Sequence, residues 1–300
     1  MSTTQNIKLS GTIPLDAKGK RLDVVLAKLF PTYSRENLKQ WILNGHCQVN
    51  NKILLPKMKV QGGEIVDIST QLTIKNQNWQ AENLPLNITY EDQDILILNK
   101  PSNIVMHPAA GKWQGTILNA LLNYHEDLKF LPRAGIIHRL DQDTTGLVIV
   151  AKNLLAYNNL ISQMKNHEII KIYEAIVVGE LIAGGTICAP IGRDQHNRLK
   201  LNVTANGKSA ITHYRILKKF KKYTHIKIQI ETGRTHQIRV HMKHIGYPIV
   251  GDPLYSKYSS NFPRQALHAK ELHFKHPKNG KNLDFIADLP IDLQNLLAEL

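Results

Sequence analysis

Short β-branched runs recur from residue 86 onward without a helix between each pair, and this spacing constrains the fold more than any other feature of the chain. Residues 86–90, 95–98, 146–151, 173–178, 212–217, 224–230 and 237–240 read as strands. Helical spacing is confined to segments near 116–124 and 154–165. A parallel sheet needs a crossover helix after nearly every strand. The expected fold class is therefore α+β, with a mixed and largely antiparallel sheet.

Ahead of that domain the pattern changes. Residues 1–18 show no clear periodicity and read as a loose lead-in. Leu22, Val25, Leu26 and Leu29 then fall at helical spacing, and Pro31 stops that helix. A second helix has Ser34 as its N-cap, Leu38, Trp41 and Ile42 as its apolar stripe, and Asn44-Gly45 as its left-handed stop. Strands follow at 47–49, turning through Asn50-Asn51, and at 64–68 after Gly62-Gly63. A polar stretch with few large apolar residues reads as a linker. The expected organisation is a lead-in (1–18), a small module (19–70), a linker (71–83) and a large domain (84–300).

Charge points to the partner. The chain carries 38 Lys and Arg against 24 Asp and Glu, a net +14, which draws a protein to polyanions. Between residues 20 and 59 the eight basic residues Lys20, Arg21, Lys28, Arg35, Lys39, Lys52, Lys57 and Lys59 face only Asp23 and Glu36. Lys20, Arg21, Arg35 and Lys39 stand at the two helix starts, where phosphate is well received. A solvated basic face is the plain alternative.

Other chemistries find little support. No apolar run approaches the ~20 residues of a membrane helix, and the opening MSTTQNIKLS lacks a signal peptide's apolar core; a cytoplasmic protein is expected. Cys47 and Cys188 lie far apart and in no C-x-x-C pattern, so both read as reduced and structural. There is no G-x-G-x-x-G, and Gly207-Lys208-Ser209 lacks the upstream glycine of a phosphate cradle. His236, His241 and His244 read as part of a strand, where residues three apart face opposite ways, so no metal is expected. No G-x-S-x-G elbow occurs.

The informative segment is HRLDQDTTGLVIVAK, residues 138–152. A polar, doubly acidic turn runs directly into a five-residue apolar strand, which can hold the turn's side chains at the edge of a sheet facing a cleft. Asp141 and Asp143 are two apart and in extended backbone point opposite ways. One carboxylate is expected to act alone, the other to tie the turn.

This segment resembles the H-R-L-D-x-x-T-S-G motif of the RluA-type pseudouridine synthases, whose essential aspartate falls on Asp141. YEDQDILILNKP (90–101), KIYEA (171–175) and ETGRTHQIRVH (231–241) resemble that family's other motifs, and GDPLY and RQALHA extend the likeness over nearly all of 85–290. Residues 21–68 resemble an S4-type RNA-binding domain. The wording PRAGIIHRLDQDTTGL, AGGT and GRTHQIRVHM is most similar to members acting on large-subunit ribosomal RNA. Thr145 stands where the family commonly has serine, which keeps a hydroxyl, and the segment 256–263 is shorter than expected in a loop that helps grip RNA.

The resemblance implies a pseudouridine synthase-type catalytic domain behind a small S4-like α/β RNA-binding domain. It implies isomerisation of uridine in large-subunit (23S) ribosomal RNA, in the stem-loop called helix 69, with the base flipped out of its stack. Nothing is consumed, so no cofactor and no metal are expected. Asp141 would act as nucleophile or base toward the ribose, Arg239 as the fixed cation beside it, and Tyr173 as a ring against the uracil with its hydroxyl near C5. Arg139 would project toward the space the base leaves, a salt bridge to Asp143 being the alternative. His107, His138, Thr144 and Arg234 would support the cleft, and Arg193, Arg198 and Lys200 would form a phosphate-binding loop. The expected partner is ribosomal RNA or a large-subunit precursor, bound by a monomer away from membranes. A non-catalytic RNA chaperone or assembly factor is the competing reading, and a glycosidic hydrolase a third.

Overall fold

Residues 4–12, expected to be loose, pair instead as a strand. In the computed structural model, which describes residues 4–33, 35–73, 79–109, 111–194, 197, 200–258 and 260–300, β1 (Thr4–Thr12), β2 (Cys47–Val49) and β3 (Ile65–Thr73) form an antiparallel sheet with β3 in the middle. Alternation explains the pairing: Ile7 is buried while its neighbours Asn6 and Lys8 face out. Helices α1 (Leu22–Leu29) and α2 (Arg35–Leu43) close the module. The stripe marked in the sequence is the buried one: Leu22, Val25, Leu26, Leu38, Trp41 and Ile42 share a core with Val66 and Ile68. Ser34, expected to cap α2, lies outside the described residues.

The second unit is a nine-stranded sheet. Its strands are β4 (Ile88–Glu91), β5 (Ile95–Lys100), β6 (Thr145–Ala151), β7 (Ile170–Val178), β8 (Gly185–Cys188), β11 (Ile211–Lys219), β12 (Tyr223–Ile230), β13 (Leu267–Lys275) and β14 (Asn282–Ile286); β9 (Ile191–Arg193) and β10 (Leu201–Val203) form a separate hairpin. The spatial order is β4-β5-β6-β13-β7-β12-β11-β8, with β14 on β13. Every pair is antiparallel except β6 with β13, which touch in parallel at Thr145 with His268 and Gly146 with Ala269. Both faces of the sheet are covered, so β6 is buried along its whole length. Val148 and Val150 face a core that includes Leu118 and Leu121 of α3 (Ile117–Tyr124), while Leu147 and Ile149 face Ala156 and Leu160 of α4 (Leu154–Lys165). Helix α6 (Ile291–Glu299) ends the chain.

Two expectations change here. Residues 79–82 of the linker are docked rather than free: Trp79 packs on the main core, and Asn119 Nδ2 donates to the Gln80 carbonyl. Residues 237–240, expected to be a strand, open helix α5 (Gln237–His244). Gln237 ties the turn that leads into the helix: its Oε1 accepts from the Arg234 N–H and the Thr232 hydroxyl, and its own N–H donates to the Arg234 carbonyl. On a helix, His241 and His244 share a face, yet His241 is occupied by the Thr212 hydroxyl and the Ala189 carbonyl, while His244 is exposed.

Candidate active site

The turn carrying Asp141 is fixed where the sheet changes direction. Gly146 has φ +111°, and a Cβ there would lie 2.2 Å from the Ala269 carbonyl oxygen, so only glycine lets β6 approach β13 this closely. Thr145 Oγ1 meets His268 Nδ1 at 2.8 Å, and Thr144 Oγ1 accepts from Gln265 Nε2. Arg264 donates to the Asp143 carbonyl at 3.0 Å and is itself clamped by both carboxylate oxygens of Asp292. Asp143 accepts from the Asn103 N–H, which makes it the tying carboxylate. The same register sets Tyr173 opposite Ala269, one strand from Gly146.

Helix α5 brings the cation. Arg239 Nη1 donates to Asp141 Oδ2 at 3.0 Å, while its Nε and Nη2 grip Asp252 at 2.7 and 3.0 Å. Asp252 also accepts from the Leu254 and Tyr255 N–H groups, so its carboxylate is fully engaged. Burial alone would loosen the Arg239 proton, but the bonds to Asp252 and the charge of Asp141 outweigh it and hold that proton more tightly than usual. Asp141 keeps 15% of its side chain exposed, against 7% for Arg239 and none for Asp252. Of the three groups, the one turned toward open space is therefore Asp141.

That space is a cavity of about 220 Å³, lined by Asp141, Tyr173, Arg239, His138, Lys171 and His236 among others. Tyr173 is buried, and its burial together with the nearby Asp141 charge raises the phenol well above its ordinary pKa. His236 adopts φ +54°, a left-handed backbone rare for a residue with a side chain. Its Nδ1 lies 2.9 Å from the Tyr255 hydroxyl and its Nε2 3.9 Å from Asp141 Oδ1. Arg133, Arg139 and Arg234 are exposed residues of the cavity wall. Arg139 makes no ion pair with Asp143 among the described residues, so that alternative is not realised.

The remaining sequence candidates fall in several places. His138 lines the cavity; its Nε2 accepts the Ile149 N–H, which leaves the ring proton on Nδ1, and burial followed by the Lys171 charge lowers its pKa to about 3. Thr144 lines the cavity too. His107 is outside that wall, its pKa lowered to about 4 by burial and by Arg133 and Arg139. Arg193 and Lys200 sit on and beside the β9–β10 hairpin, and Arg198 lies outside the described residues. In the small module, Arg21 and Arg35 both clasp the buried Asp23, whereas Lys20 and Lys39 hold the exposed Asp16 and Glu36. Sequence reasoning gave no role to Asp252, Arg264, Gln265 or His236. GDPLY, RQALHA and THQ were visible as motifs, but not their contacts.

Comparison with known proteins places the chain in a family. Residues 94–244 match the RNA pseudouridylate synthase family model, and residues 20–66 match the S4 domain. The chain is 46% identical to the ribosomal large subunit pseudouridine synthase D of Yersinia pestis, over 99% of this chain and 95% of that one. It is 44% identical to the proteins of the same name from Pseudomonas aeruginosa and Escherichia coli, each over 98% of this chain and 96% and 94% of theirs. Among solved structures, human RNA pseudouridylate synthase domain containing 1 superposes with a TM-score of 0.57 at 25% identity, over 70% of this chain and 86% of that one. Human RNA pseudouridylate synthase domain containing 4 gives 0.58 at 22%, over 71% and 92%, and shares the fold.

Proposed function

The chain belongs to the RNA pseudouridylate synthase family, and from that premise we propose that it converts uridine to pseudouridine in large-subunit ribosomal RNA, within the helix 69 stem-loop. The observation that carries the reading is Asp141, bonded to Arg239 and facing a cavity beside Tyr173. An RNA chaperone needs basic surface but has no use for a carboxylate held this way.

The reaction breaks C1′–N1, forms C1′–C5, and leaves the C5 hydrogen replaced by one on N1. Those atoms are out of reach in a stacked helix, so the target base is everted into the cavity at a cost of a few kcal/mol. Arg133, Arg139 and Arg234 hold phosphates at its mouth, and the S4-like module with the β9–β10 hairpin holds RNA further away. Asp141 then acts on the ribose, by bonding to C1′ or by removing the C2′ proton, while Arg239 balances its charge. Tyr173 packs against the uracil. Because its phenol stays protonated, it takes the C5 proton only while passing its own to Asp141, whose carboxylate is free again once C1′–C5 has formed. The protein is taken to work as a cytoplasmic monomer, with residues 84–300 as the catalytic domain and the RNA-holding module starting at β1.

The test is a map of pseudouridines in ribosomal RNA from cells lacking this protein. The helix 69 pseudouridines are expected to be absent and to return with the wild-type protein. Their persistence in those cells would contradict the substrate assignment.

A further inference from the structure

The cavity wall contains a buried cation that no carboxylate among the described residues pairs with. Lys171 lies two residues before Tyr173 on β7, so the two side chains share a face, and it is only 4% exposed. Among the described residues its ammonium is bonded only to Met164 Sδ, at 3.8 Å. Lys100 shows how this fold can satisfy a buried lysine with backbone acceptors. It is 1% exposed, and its three donors reach the carbonyls of Pro101, Ile104 and Gln142 at 2.8, 2.9 and 2.7 Å. Lys171 has no such set of acceptors, and a charge buried in this way is costly unless it serves something else.

A second donor on the same wall is also unmatched. His138 carries its proton on Nδ1, and that buried atom has no hydrogen-bond partner among the described residues. The charge of Lys171 acts on His138, which makes the two neighbours. Together they present only donors, as an acceptor-rich ligand edge requires.

We propose that Lys171 and His138 Nδ1–H bind the carbonyl oxygens of the everted uracil and stabilise the negative charge that ring carries once it leaves the ribose. The proposal rests on the isomerase reading above. When C1′–N1 breaks, its electron pair stays on the uracil, shared by N1, O2 and O4. C1′ is satisfied either by a bond from Asp141 or by loss of the C2′ proton to Asp141, so in both cases the Asp141 charge is used up as a new one appears on the base. Arg239 remains clamped on Asp252 throughout. Lys171 is the fixed cation left to meet the new anion, in a site where such preorganised charge is worth most. Burial lowers the pKa of Lys171 to about 8, which still leaves it mainly protonated at neutral pH.

The test compares wild type, Lys171→Met and Lys171→Arg in single turnover on large-subunit RNA made with uridine or with 5-fluorouridine. Fluorine at C5 stabilises the detached ring anion by itself, so the need for Lys171 should shrink. On uridine RNA, Lys171→Met is expected to lose about 100-fold in rate, with Lys171→Arg recovering part of it, while RNA Kd stays within about twofold. On 5-fluorouridine RNA, read as disappearance of 5-fluorouridine from nuclease digests, the loss should be under about tenfold. The melting temperature of Lys171→Met should equal or exceed that of wild type, since an unpaired buried charge is removed. An unchanged rate on uridine, an equal loss on both RNAs, or a marked fall in melting temperature would overturn the proposal. A wild-type protein that rearranges neither RNA would instead overturn the isomerase reading.

Discussion

Asp141→Asn is expected to lower the single-turnover rate of pseudouridine formation by about 10⁴-fold or more, with little change in melting temperature. The substitution keeps the size of the side chain and an oxygen for Arg239 Nη1, while Arg239 retains both bonds to Asp252. What disappears is the negative charge, and with it any capacity to bond to C1′ or to remove a proton from C2′. Release of tritium from C5-labelled uridine in ribosomal RNA measures the loss. Equal release by the variant and the wild type would remove Asp141 from its role.

Arg239→Met should damage both folding and activity. The guanidinium sits between two carboxylates, one of them with no exposed surface, and Met would leave Asp252 buried without its cation. Breaking a buried pair from one side costs about 3–5 kcal/mol, to be read as a lower denaturation midpoint. The rate should fall by about two to three orders of magnitude as Asp141 loses its fixed partner. Arg239→Lys should rescue little, because one ammonium cannot span both carboxylates with the three bonds the fork makes. A lysine variant with wild-type rate and stability would show that the geometry of the fork is immaterial.

Much of the fold was legible in sequence because it is written in local periodicity. The stripes of α1 and α2, the span of α4 from Leu154 to Lys165, and the strand runs around 95–98, 146–151 and 224–230 all appear near their expected places. Local pattern failed where a distant contact decides. Residues 237–240 look like a strand until Gln237 is seen to tie the preceding turn through Thr232 and Arg234, and residues 4–12 gain their reason for being extended only from β3, more than fifty residues away.

The site divides along the same line. Asp141, Tyr173 and Arg239 were named from motifs and are gathered around one cavity. Their supports were not named, because the contacts lie outside any one motif: Arg264 reaches the Asp143 carbonyl and Gln265 reaches Thr144 from more than a hundred residues away, and Asp252 reaches Arg239 from the next loop. A stretch of sequence shows that a lysine precedes Tyr173 by two, but not that no carboxylate waits for it. The S4-like module gives the opposite lesson. Arg21 and Arg35 look free in sequence and are bound to Asp23 in the fold, which positions their half-exposed guanidinium groups rather than leaving them mobile.

The most direct measurement is a structure of Asp141→Asn bound to its ribosomal RNA stem-loop. One uridine is expected out of its stack and inside the cavity, its ribose C1′–C2′ edge about 3–3.5 Å from the residue-141 side chain, with Tyr173 against the ring. A target base still stacked in the RNA, or everted onto a surface away from residue 141, would contradict it.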